Sequence, residues 1–325
     1  MKTAIIGIGN IAPIHLEAIL EAGGEITALC DINPLKAEDL KNKFGLQTKI
    51  FSDFKTMLEY QPLDIVHICT PHYLHEEMIL EALKRNINVL SEKPLCIHTM
   101  ELENIKETIS KSRAKLGICL QNRYLPVNQY AHHFLEDKKI LTAKGKVIWR
   151  RDVAYYKLSS WRGKLSKEGG GVMINQAIHT LDLLLWFCGM PEKIKGRIEN
   201  VHLRDVIEVE TNAEMEMTGK YQANFYATTA GAENFPIEIE IETEKGKLKI
   251  IGNDIYINDC FVELPNPGQV NGKPYWGAGH KYLIKDFHDS VIQKRHFPIN
   301  INEAEKAMKI IWALYRSQGK EIIIS

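Results

Sequence analysis

The feature that most constrains the fold is a glycine-rich turn close to the start of the chain. Residues 3–7 form a short apolar run of the kind found in strands buried inside parallel sheets. The run leads into Gly7-Ile8-Gly9-Asn10-Ile11-Ala12 and then into a predicted helix over about 13–21. A G-x-G-x-x-A turn between strand and helix lets the backbone approach a pyrophosphate, which the helix amides then bind. The sequence therefore predicts dinucleotide binding.

An acidic residue follows at the place that this interpretation requires. The second predicted strand, Glu25–Cys30, ends at Asp31, which lies 31 − 12 = 19 positions after Ala12. A carboxylate there accepts hydrogen bonds from the adenine ribose hydroxyls and repels a 2′-phosphate. We therefore expect NAD as the cofactor, with NADP disfavoured.

Strands and helices keep alternating up to about residue 121. Further strands are predicted at 48–51, 64–69, 87–91 and 116–120, with helices at 34–43, 53–60, 75–85 and 99–113. This alternation is typical of a doubly wound parallel sheet, so residues 1–121 are predicted to form an α/β Rossmann domain.

A lysine follows one of these strands, in the sequence Glu92-Lys93-Pro94. Pro94 stiffens the turn, and a lysine at the carboxyl end of a parallel strand lies where open α/β sheets bind ligands. A surface loop with a solvated Glu-Lys pair is the alternative, and the surrounding pattern favours the site. For His72 and His75, at the end of the neighbouring strand, helix capping and cofactor contact are equally open.

The pattern changes after residue 121, where predicted strands follow one another without intervening helices. Strict alternation of isoleucine and glutamate over 237–242 gives one apolar and one polar face. We expect residues 122–325 to form an α+β domain with a large open, mainly antiparallel sheet. Its outer face is either a subunit interface or a solvated surface.

A second informative stretch combines three glycines with polar residues. Gly169–Gly171 would let the backbone approach a ligand or another chain, and a helix is predicted from Val172. Asn175, His179 and Asp182 would then share one helix face. A lone histidine on an apolar helix is more often a hydrogen-bonded core residue, but the polar stripe and the glycines favour an active-site role.

Composition excludes several classes of protein. Lysine plus arginine equals aspartate plus glutamate, 41 against 41, so no basic surface predicts nucleic-acid binding. The six cysteines include no C-x-x-C pair, which favours free thiols in a reducing compartment, and no metal site is predicted. We find no signal peptide, and the longest apolar run is too short to cross a bilayer. A soluble, cytoplasmic protein is expected.

Taken together, the Gly7–Ala12 turn, Glu92-Lys93-Pro94 and the Gly169–Gly171 stretch with His179 and Asp182 resemble the glucose–fructose oxidoreductase/inositol dehydrogenase/rhizopine-catabolism (Gfo/Idh/MocA) family. The resemblance covers essentially the whole chain. It implies hydride exchange between NAD and a sugar or polyol, in a homodimer or homotetramer formed through the second domain's sheet.

The resemblance also implies roles for individual residues. Lys93 corresponds to the lysine that hydrogen-bonds the reacting oxygen, and His179 to the acid/base, which suits proton removal during alcohol oxidation. Asn175 stands where many members have aspartate, and its Asn-Gln-x-x-His pattern looks more like branches of the family that oxidise a sugar-ring hydroxyl, including those of nucleotide-linked sugars. Substrate contacts are expected from Lys93, Arg123, Asn175 and His179. Cofactor contacts are expected from Gly7, Gly9, Asn10, Ile11, Asp31, Thr70, Pro71, His75, Glu92, Lys93, Gln121, Trp161 and Arg162.

Two other functions are compatible with these residues. One is an NAD-dependent glycosidase that oxidises C3 transiently. The other is a non-catalytic dinucleotide sensor, against which the presence of both Lys93 and His179 argues. Aromatic residues such as Tyr156 and the loop 275–280 are further candidates for a sugar site, although aromatics are more often core residues.

Overall fold

The computed structural model describes residues 1–60, 62–265 and 278–324. It divides into two units: the first combines Met1–Tyr124 with Gly268–Ala304, and the second combines Leu125–Pro267 with Glu305–Ser325. The expected boundary at 121/122 lies three residues from the observed one, but the late segment returns to the first unit. Its Phe287 ring packs against Gly117, where a Cβ atom would come within 2.8 Å of it. Such a long-range contact leaves no local sequence pattern.

The first unit is a parallel sheet flanked by helices, as predicted. Its six strands lie in the order β3-β2-β1-β4-β5-β6, which is the doubly wound arrangement. The strands are β1 (Lys2–Ile6), β2 (Glu25–Cys30), β3 (Lys49–Phe51), β4 (Ile65–Ile68), β5 (Asn88–Ser91) and β6 (Leu116–Ile118). The helices, numbered in chain order, are α1 (Ala12–Glu21), α2 (Pro34–Phe44), α3 (Phe54–Tyr60), α4 (His75–Lys84) and α5 (Thr99–Lys111), and the late segment contributes α10 (Gly279–Ile292).

Local signals explain where these elements begin and end. Helix α2 begins with Pro34, and the side chain of Asn33 caps it by accepting a hydrogen bond from the Leu35 amide at 3.2 Å. It ends at Phe44, and the next residue, Gly45, has a φ of +62°, a left-handed conformation that favours glycine. Strand β4 is buried along its whole length, which explains its continuous apolar run around one histidine, His67.

The second unit is built on a nine-stranded sheet in the order β14-β13-β12-β11-β7-β10-β9-β8-β15. All neighbouring pairs are antiparallel except β7 with β10, so the predicted mainly antiparallel sheet is confirmed. Its strands are β7 (Ile140–Ile148), β8 (Lys193–Glu199), β9 (Asn212–Thr218), β10 (Gln222–Thr228), β11 (Glu238–Thr243), β12 (Gly246–Ile251), β13 (Asp254–Ile257), β14 (Cys260–Val262) and β15 (Ile322–Ile323). Its helices are α6 (Pro126–Leu135), α7 (Val153–Lys157), α8 (Leu165–Glu168), α9 (Ile178–Cys188) and most of α11 (Ile301–Ser317).

Strand β11 shows why the alternating pattern was informative. Ile239 and Ile241 are fully buried on one face of the sheet, whereas Glu240 is half-buried and Glu242 exposed on the other. The predicted two-faced strand is confirmed.

Among the helices of the described residues, none is by itself both long and apolar enough to cross a membrane. Two successive helical segments, Leu165–Gln176 and Ile178–Cys188, are bent by 57° relative to each other. Taken together, they have the length and the apolar composition of a membrane span.

Candidate functional site

In the first unit, the strand ends bring the predicted cofactor residues to one edge of the sheet. Ile6 is paired in register with Cys30 and with Ile68, Ile68 with Ser91, and Ser91 with Ile118. Because the strands are parallel and in register, the residues that follow them lie along the same edge. These residues are Gly7, Asp31, Thr70, Lys93 and Gln121.

The two glycines of the turn are required for different reasons. Gly7 has φ +87°, and a Cβ atom there would lie 2.8 Å from the carbonyl group of Cys69 and from Thr70 Cγ2. A Cβ atom on the exposed Gly9 would meet nothing within 4 Å. Gly9 therefore leaves open space beside the backbone, which fits the close approach of a pyrophosphate. Asn10 is exposed, and Ile11 is the N-cap residue of α1, so both lie where a helix N-terminus binds anions.

Asp31 connects the glycine turn to the end of β2. Its carboxylate accepts hydrogen bonds from the Ile8 amide at 2.8 Å and from the Asn33 amide at 2.8 Å. A carboxylate has about four acceptor positions, so these two bonds leave capacity for ribose hydroxyls. The position of Asp31 and its remaining acceptor capacity fit the predicted NAD contact.

The loop carrying Lys93 is attached to the neighbouring strand end by His75. The buried imidazole lies 2.7 Å from the Pro94 carbonyl oxygen through Nδ1 and 2.9 Å from the Thr70 carbonyl oxygen through Nε2. Burial lowers the pKa of His75 despite these two acceptors. Lys93 itself is half-buried, and the Lys93–Pro94 peptide bond is cis. His75 thus joins the loops containing Thr70 and Pro94, and its direct contact with a cofactor stays a prediction.

Glu92 is the end of a buried histidine chain that the sequence did not reveal. Its Oε1 lies 3.0 Å from His15 Nε2 and 3.2 Å from His280 Nε2. Burial alone would raise the pKa of Glu92, but these hydrogen bonds hold it well below the usual value. Glu92 is therefore ionised and accepts a hydrogen bond from each ring.

The ionised Glu92 fixes the tautomers along that chain. Since His15 donates from Nε2, its Nδ1 is an acceptor and receives the hydrogen bond of His67 Nδ1 at 2.8 Å. His67 Nε2 is then the acceptor for His288 Nε2 at 3.0 Å. Burial lowers the pKa of His15, His67 and His288, for His288 to about 4, so the three rings are neutral at physiological pH. The sequence signals that could have revealed this chain were His15 on an apolar helix and His67 inside β4.

The same corner of the first unit contains other candidates. His15, Glu92 and Cys119 place three potential metal-ligand atoms within 4.8 Å of one another, but hydrogen bonding already accounts for their arrangement. Arg123 is buried and its Nη1 donates to Glu303 Oε2 at 2.9 Å, so it has a structural partner, and its substrate contact stays a prediction. Gln121 is also buried.

In the second unit, the expected single helix from Val172 is wrong. Val172–Gln176 is a π-helical turn, and α9 begins only at Ile178, so Asn175 does not share one regular helix face with His179 and Asp182. The reason is tertiary: the Val172 amide donates to the Glu210 carbonyl oxygen at 3.0 Å. Across residues 171–185, Asn175 and His179 are nonetheless the two residues that are partly exposed, while Asp182 is buried.

The glycines before this turn allow close packing within the chain. A Cβ atom at Gly170 would lie 1.9 Å from the Tyr315 hydroxyl, and one at Gly171 would lie 1.9 Å from the Glu210 carbonyl oxygen. We expected these glycines to let the backbone approach a ligand or another chain. Instead, the backbone packs closely against Tyr315 and Glu210 of the same unit. Glu210 also accepts hydrogen bonds from the Gly171 amide at 2.7 Å and from Tyr315 at 3.0 Å.

Glu168, directly before the glycines, is a residue that the sequence interpretation missed. It is buried, and its carboxylate accepts hydrogen bonds from Asn175 Nδ2 and from the Gly163 amide. Burial raises the pKa of Glu168 to about 7, although those two hydrogen bonds and the nearby Arg162 oppose the shift. A buried carboxylate thus lies directly behind the Asn175 amide.

The aromatic candidates divide into two groups. Tyr156 belongs to the core, where it packs with Leu203, Ile207 and Val209. The Arg162 guanidinium lies 4.8 Å from the Tyr155 ring centroid and 5.1 Å from that of Trp161. The cofactor contacts of Trp161 and Arg162 stay predictions, and residues 275–277 of the proposed loop lie outside the described residues.

Comparisons with known proteins agree with this architecture. Residues 1–119 match the family described as "Oxidoreductase family, NAD-binding Rossmann fold" (GFO_IDH_MocA), and residues 139–249 match the "GFO/IDH/MocA C-terminal domain". Two solved structures cover the whole chain: the WlbA dehydrogenase from Bordetella pertussis in complex with NADH and UDP-GlcNAcA, with TM-score 0.88, 23% identity and 98% of its chain covered, and levoglucosan dehydrogenase in complex with NADH, with TM-score 0.89, 17% identity and 99% covered. At these identities the likeness shows the fold alone.

Curated relatives are named as sugar and polyol dehydrogenases. The chain is 28% identical to glucose-6-phosphate 3-dehydrogenase of Bacillus subtilis over 290 residues, which are 88% of this chain and 77% of that protein. It is 26% identical to D-glucoside 3-dehydrogenase of Escherichia coli over 59% of this chain, and spans only about half, 55%, of that relative. For inositol 2-dehydrogenase of Salmonella typhimurium the matched shares are 36% and 35%, with 26% identity. The two family matches, which together cover most of the chain, show that it belongs to the Gfo/Idh/MocA oxidoreductase family.

Proposed function

We propose that this protein is an NAD-dependent dehydrogenase that transfers a hydride between a hydroxyl-bearing carbon of a sugar, sugar derivative or polyol and nicotinamide. The observation that carries the proposal is the position of Lys93. It follows β5 at the same sheet edge as the Gly7–Ala12 turn and Asp31, so a cationic side chain lies at the edge that carries the dinucleotide fingerprint.

NAD would be held mainly by the glycine turn and Asp31, and when bound it supplies the hydride acceptor. The open space beside Gly9 and the remaining acceptor capacity of Asp31 support this fit. The further residues that we propose for cofactor contact are Asn10, Ile11, Thr70, Pro71, His75, Glu92, Lys93, Gln121, Trp161 and Arg162. Asp31 would disfavour NADP because its carboxylate repels a 2′-phosphate.

The residues of the chain would divide the remaining chemistry. Oxidation breaks the O–H and C–H bonds of one carbinol group and forms a C=O bond, while the hydride takes its electron pair to the nicotinamide. We assign the hydroxyl proton to His179, whose imidazole suits proton transfer near neutral pH. We assign the stabilisation of the developing alkoxide to the Lys93 ammonium group. Asn175 and Arg123 would bind further substrate oxygens.

The reacting carbon that we propose is C3 of a hexose ring. Two relatives that are named 3-dehydrogenases, of a D-glucoside and of glucose 6-phosphate, support this choice. The test is a panel of hexosides, hexose phosphates, nucleotide sugars, sugar acids and inositols with NAD, followed by NADH absorbance and by product identification. NADH with a 3-keto sugar is expected. If no sugar or polyol yields NADH, or if NADP serves better than NAD, the proposal is wrong.

A second candidate uses the same first step. A 3-keto sugar has an acidified C2–H bond, so elimination at C1, addition of water and re-reduction would give net glycoside hydrolysis. The names of the same two relatives place their reaction at C3, which is the first step that this hydrolysis requires. Release of a chromogenic aglycone without accumulation of NADH would identify the hydrolase, whereas stoichiometric NADH identifies the dehydrogenase.

We also propose that the outer face of the nine-stranded sheet forms a subunit interface. Rows of opposite charge support it, with Lys146 paired to Glu238 at 3.2 Å and Lys249 to Glu240 at 3.0 Å, and the aromatic Tyr226 37% exposed among them. Light scattering at micromolar concentration should give a dimer or tetramer, and Tyr226→Glu should weaken it. A species of 37.1 kDa alone contradicts the proposal. The six free cysteines favour a reducing compartment such as the cytoplasm, which cell fractionation would test.

A further inference from the structure

The contact between Glu168 and Asn175 is the starting observation. Glu168 Oε1 accepts a hydrogen bond from Asn175 Nδ2, and its Oε2 accepts one from the Gly163 amide. The carboxyl group is buried, with 1% of the residue exposed, whereas Asn175 reaches the surface of its unit. The carboxyl group thus touches one of the two partly exposed residues of the 171–185 stretch from behind.

This contact determines which end of the Asn175 amide points outward. An ionised carboxylate is an acceptor only, so it selects the Nδ2 end of the amide and leaves Oδ1 on the other side. Tyr155 Oη, 3.5 Å from Asn175 Nδ2, lies on the same nitrogen side. A protonated carboxyl group can also donate a hydrogen bond, and it no longer distinguishes the two ends of the amide.

The charged surroundings of Glu168 come from several elements. Arg162 favours its ionised form and Glu210 opposes it. The Tyr156 and Tyr315 hydroxyls interact electrostatically with Glu168. The Tyr155 hydroxyl accepts hydrogen bonds from the side-chain amides of Asn175 and Gln176. Because burial raises the pKa of the Glu168 carboxyl to about 7, both of its protonation states occur in the neutral range.

We propose that Glu168 is a positioning residue that holds the Asn175 amide with its oxygen directed to a substrate hydroxyl, and that tight substrate binding requires the ionised form of Glu168. The proposal rests on the proposed dehydrogenase function. In this arrangement the Asn175 amide oxygen is the acceptor offered to the substrate, and the Glu168 carboxylate charge lies behind the amide. Glu168 takes no part in moving the substrate proton.

The first test compares the pH dependence of KM and kcat in the wild type and in Glu168→Gln. In the wild type, KM should fall as the pH rises through about 7, because ionisation fixes the amide. In Glu168→Gln this step in KM should disappear, while the pH profile of kcat should stay that of the wild type. A Glu168→Gln enzyme with an unchanged KM step overturns the proposal.

The second test exchanges the two side chains. Asn175→Asp alone puts two carboxyl groups in contact, so one of them is held protonated and KM should rise about tenfold or more. The double variant Asn175→Asp with Glu168→Gln restores one carboxylate and one amide, and KM should return to within a fewfold of the wild type. A double variant no better than Asn175→Asp alone contradicts the proposal.

Two controls separate positioning from structural effects. Glu210→Gln removes another buried carboxylate of the same unit, one that accepts hydrogen bonds from the Gly171 and Met173 amides and from Tyr315. It should move the KM step to lower pH, since Glu210 opposes ionisation of Glu168, but should not abolish it. If Glu168→Gln does not fold, Asn175→Ala answers the same question: retention of the KM step in that variant excludes transmission through Asn175.

A spectroscopic readout keeps the two proposals distinguishable. In infrared spectra, a protonated-carboxyl band should titrate near pH 7 in the wild type and be absent from Glu168→Gln, whatever the substrate. A wild-type protein that shows this band but oxidises no sugar or polyol overturns the dehydrogenase and, with it, the positioning role. If the wild type is active but its KM does not change over the pH range in which the carboxyl band titrates, the positioning role alone is overturned.

Discussion

The two units bury ionisable groups in opposite ways. The first unit buries imidazoles, with the pKa values of His15, His67, His75 and His288 lowered by burial, around one carboxylate that stays ionised. The second unit buries the carboxyl groups Glu168 and Glu210, whose pKa values burial raises. Both arrangements keep buried groups largely uncharged unless hydrogen bonds stabilise the charge.

The difference has opposite consequences for stability. A histidine with a lowered pKa contributes stability above its unfolded value of 6.5, and this is lost as the pH falls towards the folded value. A carboxyl group with a raised pKa contributes stability below 4.5, and this is lost as the pH rises through about 7. The first unit should therefore lose stability as the pH falls below about 6.5, and the second unit as the pH rises from about 4.5 to about 7.

The largest effects are expected for the proposed catalytic residues, one in each unit. His179→Ala should lower kcat by about 10²- to 10⁴-fold, the usual contribution of a general acid or base, with NAD affinity near that of the wild type. Lys93→Met should lower kcat at least as much, because it removes both a hydrogen bond and the charge that stabilises the alkoxide. Steady-state kinetics and NAD titration measure both.

The matched control for His179→Ala is His133→Ala in the same unit, an exposed histidine on α6 beside Glu136, which should keep full turnover. If His179→Ala keeps full turnover across the pH range, the acid/base assignment is wrong. A water molecule or Lys93 would then have to move the proton.

The sequence predicted more of the first unit than of the second. The first unit was predictable strand by strand, since Gly7–Ala12, Asp31 and Lys93 each follow a short apolar run, and local order sets their places. The return of Gly268–Ala304 to that unit was not, because Phe287 packs on Gly117 across 287 − 117 = 170 positions.

The second unit shows what local pattern leaves out. The alternation in β11 revealed its two faces, but the π-helical turn at Val172–Gln176 depends on hydrogen bonds to Glu210, and the role proposed for Glu168 depends on its contact with Asn175. Neither partner is marked by spacing or residue type. The position of Glu168 directly before three glycines was a weak sequence signal. Its importance became visible only from its burial in the structure.

The next largest effect concerns the stability of the second unit as the pH rises from acid to neutral. Glu168 should reduce the free energy of unfolding by about 3 kcal/mol between about pH 4.5 and pH 8, from a pKa raised from 4.5 to about 7. Glu168→Gln should lose that pH dependence. Urea unfolding across this range, with hydrogen exchange to localise the change to the second unit, measures it. A variant that keeps the wild-type slope would show that Glu168 is not the titrating group.

A smaller effect is expected at acid pH in the first unit. His288→Gln keeps a donor for His67 Nε2 but cannot titrate, so it should raise the free energy of unfolding at about pH 5 by about 2 kcal/mol relative to its effect at about pH 8. His133→Gln, exposed in the second unit, is the control and should have no such effect. An equal gain at both pH values would point to packing rather than to titration.

The smallest effect is the change in cofactor preference on Asp31→Ser, which tests the first unit alone. Loss of the carboxylate should narrow the preference for NAD over NADP by about tenfold, which corresponds to about 1.4 kcal/mol. Part of the change should be weaker NAD binding, because Asp31 also holds the Ile8 and Asn33 amides at 2.8 Å. Asp64→Ser removes a comparable carboxylate, bonded to the Lys2 amide at 2.7 Å at the opposite end of β1, and should leave the ratio unchanged. An unchanged ratio of the two dissociation constants in Asp31→Ser would show that the discrimination against the 2′-phosphate lies elsewhere, since electrostatic repulsion by Asp31 cannot survive its removal.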